Sequence, residues 1–162
     1  MYRIKQFIWA ITAMYKPVDD KLLNRYLTKK EKRLFKALRI SEQQHSIRVC
    51  NKALEQGLDK NIDKEKLAKI ALLHDVGKST KSLNVFDKSV IVILDKVTNG
   101  KLKNLKNSKV DIYYNHPQKS VKLLKTINRY DKEFLEAVEN HHYKSTGANK
   151  YLEIIKACDD IC

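Results

Sequence analysis

The chain has 162 residues, 43% of them apolar and 32% charged, a balance that excludes a disordered chain and can bury one core without disulfide staples. Only 4 Gly and 2 Pro interrupt it, which argues against a many-turned β architecture and for an all-α fold. The formal net charge of +14 suits anionic partners, but the lysines are spread along the chain. Residues 101–109 (KLKNLKNSK) are locally dense yet carry no aromatic residue for base stacking, so a solvated lysine-rich surface is preferred to a nucleic-acid interface.

In chain order, Arg3 and Lys5 precede the apolar run FIWAITAMY, which faintly imitates a signal peptide. Ile4, Phe7, Ile8, Ile11 and Met14 nevertheless follow helical spacing, and Lys16 closes the segment, so a packed amphipathic helix is expected. No run approaches the roughly 18 apolar residues of a transmembrane span. After Pro17 a short helix is predicted over residues 21–27. Thr28, with Glu31 three residues on, forms a capping-box signature before KKEKRLFKAL. Ser41 can cap a helix towards Gly57, and Asp63 one that Gly77 ends. Residues 87–97 (DKSVIVILDKV) could be a strand on periodicity alone; helical stretches on both sides favour a buried helix. Three more helices are predicted, one opened by Pro117 at its first position, one capped by Asp131, and one from about Asn149. Cys50, Cys158 and Cys162 contain no CxxC pair and are odd in number, as expected of reduced thiols filling the core of a cytosolic protein.

Polar residues interrupt the apolar stripes of these helices. Leu67, Ile70 and Ala71 lead to His74, with Asp75 beside it; Phe134, Leu135 and Val138 lead to His141 and His142; Leu152 and Ile155 lead to Asp159. His45 lines up with Val49 and Ala53, and His116 directly precedes Pro117. One histidine on an apolar face is ordinarily a hydrogen-bonded core residue. Here all five histidines of the chain fall in the set, with two aspartates, as in a site built between facing helices. Imidazole and carboxylate together suit iron, manganese or zinc rather than calcium.

The order His, His-Asp, His, His-His, Asp resembles that of the HD-domain metal-dependent phosphohydrolases. ALLHDVGKS (71–79) is similar to the family's HD-x-G-K motif, flanked by QHSIRV (44–49), NHPQKS (115–120), ENHHYKSTG (139–147) and KACDD (156–160). The resemblance implies a compact multi-helix HD bundle over residues 41–162, with residues 1–40 as a helical extension packed on it. It implies divalent metal ions, two of them, iron or manganese ahead of zinc, magnesium or nickel. His45, His74, Asp75 and Asp159 match the first metal's ligands, with Asp75 bridging, and His116 and His141 match the second's. Asp160 competes with Asp159, which is preferred because Asp160 shares its side with Glu153 and Lys156. Asp75, Lys78 and His142 form the implied catalytic set, Lys78 facing substrate phosphate and His142 facing it or contributing to the second metal.

The implied activity is cytoplasmic hydrolysis of a phosphomonoester or phosphodiester of a nucleotide or related small molecule by metal-activated water. The sequence after the paired histidines, HHYKSTGANKYL, lacks the Gly-Tyr-Pro of the cyclic di-GMP phosphodiesterases. Among competitors, a P-loop at residues 77–79 fails for want of the preceding glycine spacing. A helix-turn-helix nucleic-acid binder explains the charge but not the inward histidines, and a regulatory HD module without catalysis is disfavoured because every expected ligand is present. An oxygenase on the same di-metal site is less consistent with the lysine after the HD pair.

Overall fold

The computed structural model describes residues 17–58, 61–80, 91–92, 94–95, 97–99, 101–105, 107–143 and 147–162. Among these residues there is no strand, and the chain runs through seven bounded α-helices. They are α1 (Asp20–Tyr26), α2 (Lys29–Lys36), α3 (Ile40–Gln56), α4 (Lys64–Leu73), α5 (Ser108–Ile127), α6 (Lys132–Asn140) and α7 (Lys150–Asp159). A 3-10 turn, Val76–Thr80, follows α4, and another spans Lys101–Asn104. The fold is the all-α bundle that the sequence suggests. The helix expected over residues 1–16 lies outside the described residues.

Most helix starts follow local chemistry. Thr28 N–H donates to Glu31 Oε2 at 2.7 Å and Glu31 N–H to Thr28 Oγ1 at 3.3 Å, closing the capping box. The side chains of Asp63, Asp131 and Asn149 accept the first free amides of α4, α6 and α7.

Four local expectations need correction. Ser41 does not cap α3, which begins at Ile40 after Arg39 with no side-chain cap; Gln43 Nε2 instead donates to the Leu38 carbonyl at 2.8 Å and ties down the preceding turn. Gly77 does not end α4, which stops at Leu73 and passes into the 3-10 turn containing that glycine. Pro117 does not open a helix: it sits inside α5, which Asn107 caps ten residues before it. Within 87–97 the described positions are helical and Ile91 is buried, but Leu94 and Val97 are 43% and 73% exposed, so the described positions are not those of a fully buried helix.

The helix α4 is the axis of the core. Leu67, Ala68, Ile70, Ala71, Leu72 and Leu73 are all fully buried, so the helix is covered over most of its circumference and wholly in its last turn, with Glu65 and Lys69 marking its wet edge. Helix α3 lies along it, α1, α2, α6 and α7 cover it further, and the 3-10 turn abuts α5. Leu23 of α1 and Phe35 of α2 are fully buried in the same cluster. All three cysteines are free and buried, and burial pushes the Cys50 thiol up to about 12. The chain therefore emerges from its most buried helix directly into His74 and Asp75. Among the described residues, no helix is long and apolar enough to cross a membrane.

Candidate metal centre

The end of α4 sets the site's centre. His74 and Asp75 are fully buried, and Asp75 turns its two carboxylate oxygens in different directions. Oδ2 faces His74 Nε2 at 3.5 Å and His45 Nε2 at 3.8 Å; Oδ1 faces His116 Nε2 at 3.2 Å and His141 Nε2 at 3.8 Å. His45 on α3 lies 2.8 Å from Asp159 Oδ1 at the end of α7, and His74 Nε2 is 3.5 Å from the same oxygen. Two groups of ligand atoms result, His45–His74–Asp159 and Asp75–His116–His141–His142, each with its atoms within 4.8 Å of one another. All six residues expected to hold metal are thus brought together from five helices or helix ends.

Three histidines are anchored from behind. His74 Nδ1 donates to the Ala71 carbonyl at 2.8 Å, His141 Nδ1 to the Val138 carbonyl at 2.7 Å, and His116 Nδ1 to the Tyr113 carbonyl at 3.0 Å. A carbonyl only accepts, so each Nδ1 carries a proton and, on a neutral ring, Nε2 presents a lone pair to the centre. His74 Nε2, Asp75 Oδ1 and His141 Nε2 are buried without a hydrogen-bond partner. Unmatched polar atoms are rare in a protein interior, and three converging acceptors fit a cation. The donor set therefore fits divalent metal.

The electrostatics agree. Burial alone would raise the Asp75 carboxyl, but Lys78, His74 and His116 outweigh it and hold it well below the usual carboxylate range. Asp159 is likewise held well below that range, against its burial, by its hydrogen bond to His45 and by the nearby His74 imidazole. Burial, then His74 and His142, keep His141 far below the ordinary imidazole value; burial and Lys78 lower His116. His74 is raised instead, since Asp75 and Asp159 overcome its burial.

Lys78 reaches back from the 3-10 turn, its Nζ 2.5 Å from Asp75 Oδ2 and 3.8 Å from Glu42 Oε2. Burial would lower the Lys78 ammonium, but Asp75 and Glu42 raise it, so it stays charged. His142 lies at the rim with its side chain 42% exposed, 3.0 Å from His116 Nε2 and 3.6 Å from Asp159 Oδ2. Burial of the ring, then His116, pushes His142 down to about 4. Asp160 points away, its side chain 65% exposed and 4.0 Å from Lys156.

Sequence reasoning missed two contributors. Glu42 is buried one turn before His45 on α3, and that i,i+3 spacing was the available signal. Ser120, four residues after His116, accepts the Gly77 amide on its hydroxyl at 2.8 Å and ties the 3-10 turn to α5.

A family model, the HD domain, matches residues 43–162. No curated protein and no solved structure matches the chain. The match spans the helices that carry every residue of the cluster, and with the all-helical fold it settles the assignment: the chain belongs to the HD-domain superfamily of metal-dependent phosphohydrolases.

Proposed function

We propose that this protein hydrolyses a phosphomonoester or phosphodiester of a nucleotide or related small molecule, with His45, His74, Asp75, His116, His141 and Asp159 holding two divalent metal ions. The observation that carries this reading is Asp75, a fully buried carboxylate with one oxygen turned to each histidine group. Bound divalent metal, iron or manganese by donor type, would lower the pKa of a coordinated water and offset charge on phosphate oxygens.

The chain's own residues supply the rest. The Nδ1 anchors of His74, His116 and His141 fix their rings before substrate arrives, so little reorganisation is left for the reaction. Lys78 keeps a positive charge beside Asp75, where phosphate oxygens would gather negative charge. His142, neutral near pH 7 and open to the rim, would hydrogen-bond substrate phosphate; its exposure and low pKa support that role. The net charge of +14 draws anionic substrates towards the protein at low salt.

A panel of nucleoside monophosphates, dinucleoside polyphosphates, cyclic nucleotides and simple phosphate esters, assayed with manganese or ferrous iron, tests the proposal. At least one should be turned over, with kcat/KM falling about a hundredfold or more in Asp75→Ala. No turnover of any member by metal-loaded protein, together with salt-sensitive RNA or DNA binding, would favour a nucleic-acid module instead.

A further inference from the structure

The three anchored histidines share one backbone device. Each donates Nδ1–H to the carbonyl three residues before it: Ala71 for His74, Tyr113 for His116, Val138 for His141. In a continuous α-helix those carbonyls would receive the amides of residues 75, 117 and 142. For His74 and His141 the helix simply ends, α4 at Leu73 and α6 at Asn140, and terminal carbonyls then take side-chain donors. His116 is different, because it lies in the middle of α5, with eleven helical residues still to follow it. What stands four residues after Tyr113 is Pro117, which has no N–H to give. The Ile112 carbonyl, 3.1 Å from His116 Nδ1, is the helical acceptor of the His116 amide, whereas Tyr113 is the one whose backbone donor proline deletes.

We infer that Pro117 is a positioning residue for the metal centre: by removing one helical N–H it reserves the Tyr113 carbonyl for His116 Nδ1, and so holds His116 with Nε2 unprotonated towards Asp75. Proline does inside a helix what a helix terminus does for His74 and His141. This inference rests on the metal-holding role proposed above. It also accounts for a proline that would otherwise only weaken α5, since proline in a helix interior is unfavourable. An amide at position 117 would compete for the Tyr113 oxygen. The alternative tautomer, with Nε2–H pointing at Asp75 Oδ1 3.2 Å away, would then gain population at the expense of the ligating one.

The test uses the full chain with Pro117→Ala and Pro117→Val; both restore the amide, and valine keeps more of the buried ring's volume. Ring-nitrogen NMR of chelator-stripped protein should report Nδ1–H at His116 in the parent and a shift towards Nε2–H in both variants, with His74 and His141 unchanged. Manganese titration should show one site weakened ten- to a hundredfold, the range for lost partners behind a metal ligand. Thermal stability of the metal-free variants should stay level or rise, opposite in sign to the metal effect. An unchanged His116 tautomer with manganese affinity within twofold of the parent would overturn the inference. If the parent binds no manganese, the metal reading fails, and the tautomer shift alone decides what Pro117 does.

Discussion

At the scale of single residues, two neighbouring aspartates near the end of α7 have opposite fates. Asp159 meets His45 and His74 in the interior, whereas Asp160 sits in solvent beside Lys156. Asp159→Ala should therefore strip metal from the protein, and Asp160→Ala should leave metal content and melting temperature unchanged, as elemental analysis and thermal unfolding would show. Gly77 is constrained by space rather than by its torsion angles. A Cβ there would lie 2.1 Å from the His116 carbonyl oxygen and 2.6 Å from the Ser120 nitrogen, both backbone atoms that cannot step aside. Gly77→Ala should cost about 3 kcal/mol or more, seen as a fall in melting temperature of the metal-free protein. The sequence displayed the histidines and aspartates plainly, because a charged or imidazole group on an apolar stripe needs a partner. It displayed Glu42 only through its spacing to His45 and Ser120 not at all, because their partners, Lys78 and Gly77, lie on the 3-10 turn, distant in the chain.

At the scale of elements, the helix boundaries that sequence predicts well are those written in local chemistry. The Thr28–Glu31 capping box and the caps at Asp63, Asp131 and Asn149 need only neighbours three residues away. The boundaries it misses are set by distant packing. Gly77 reads as a helix stop but serves as the contact between a 3-10 turn and α5, and Pro117 reads as a helix start although Asn107 already supplies one. Glu31 does more than cap α2: its Oε1 accepts the Tyr130 hydroxyl at 2.8 Å, joining α2 to the turn before α6. Thr28→Ala should thus cost about 1 kcal/mol, as cap losses do. Glu31→Ala, which leaves a half-buried phenol and the Thr28 amide without their acceptor, should cost about 2 kcal/mol or more. Chemical denaturation of the two variants side by side would check the order.

At the scale of the whole molecule, four buried or half-buried imidazoles make metal-free stability depend on pH. His116, His141 and His142 bind protons less readily in the folded chain than in the unfolded one, because burial, then neighbouring charge, penalises their cationic forms. Unfolded imidazoles take up protons below about pH 6.5, so the folded state loses stability as pH falls from there towards the value of about 4 reached by His142. His74 is raised and works the other way, keeping its contribution below pH 6.5, but it stands against three. The melting temperature of chelator-treated protein should therefore drop between pH 7 and pH 4.5, and saturating metal should raise it at pH 7 by mass action. The overall bundle was legible because apolar periodicity and scarce Gly and Pro leave few alternatives to helices. The centrality of α4 was not, since only three-dimensional packing shows that its last turn is covered on all sides while Glu65 and Lys69 keep a wet edge at its start.

The most direct test is metal stoichiometry by elemental analysis of protein loaded with manganese or ferrous iron, with Asp75→Ala and Asp160→Ala beside it. Two ions per chain in the parent and in Asp160→Ala, and none in Asp75→Ala, is the predicted result. A parent that retains no ion would contradict a metal centre built around Asp75, and a single ion would contradict its bridging role.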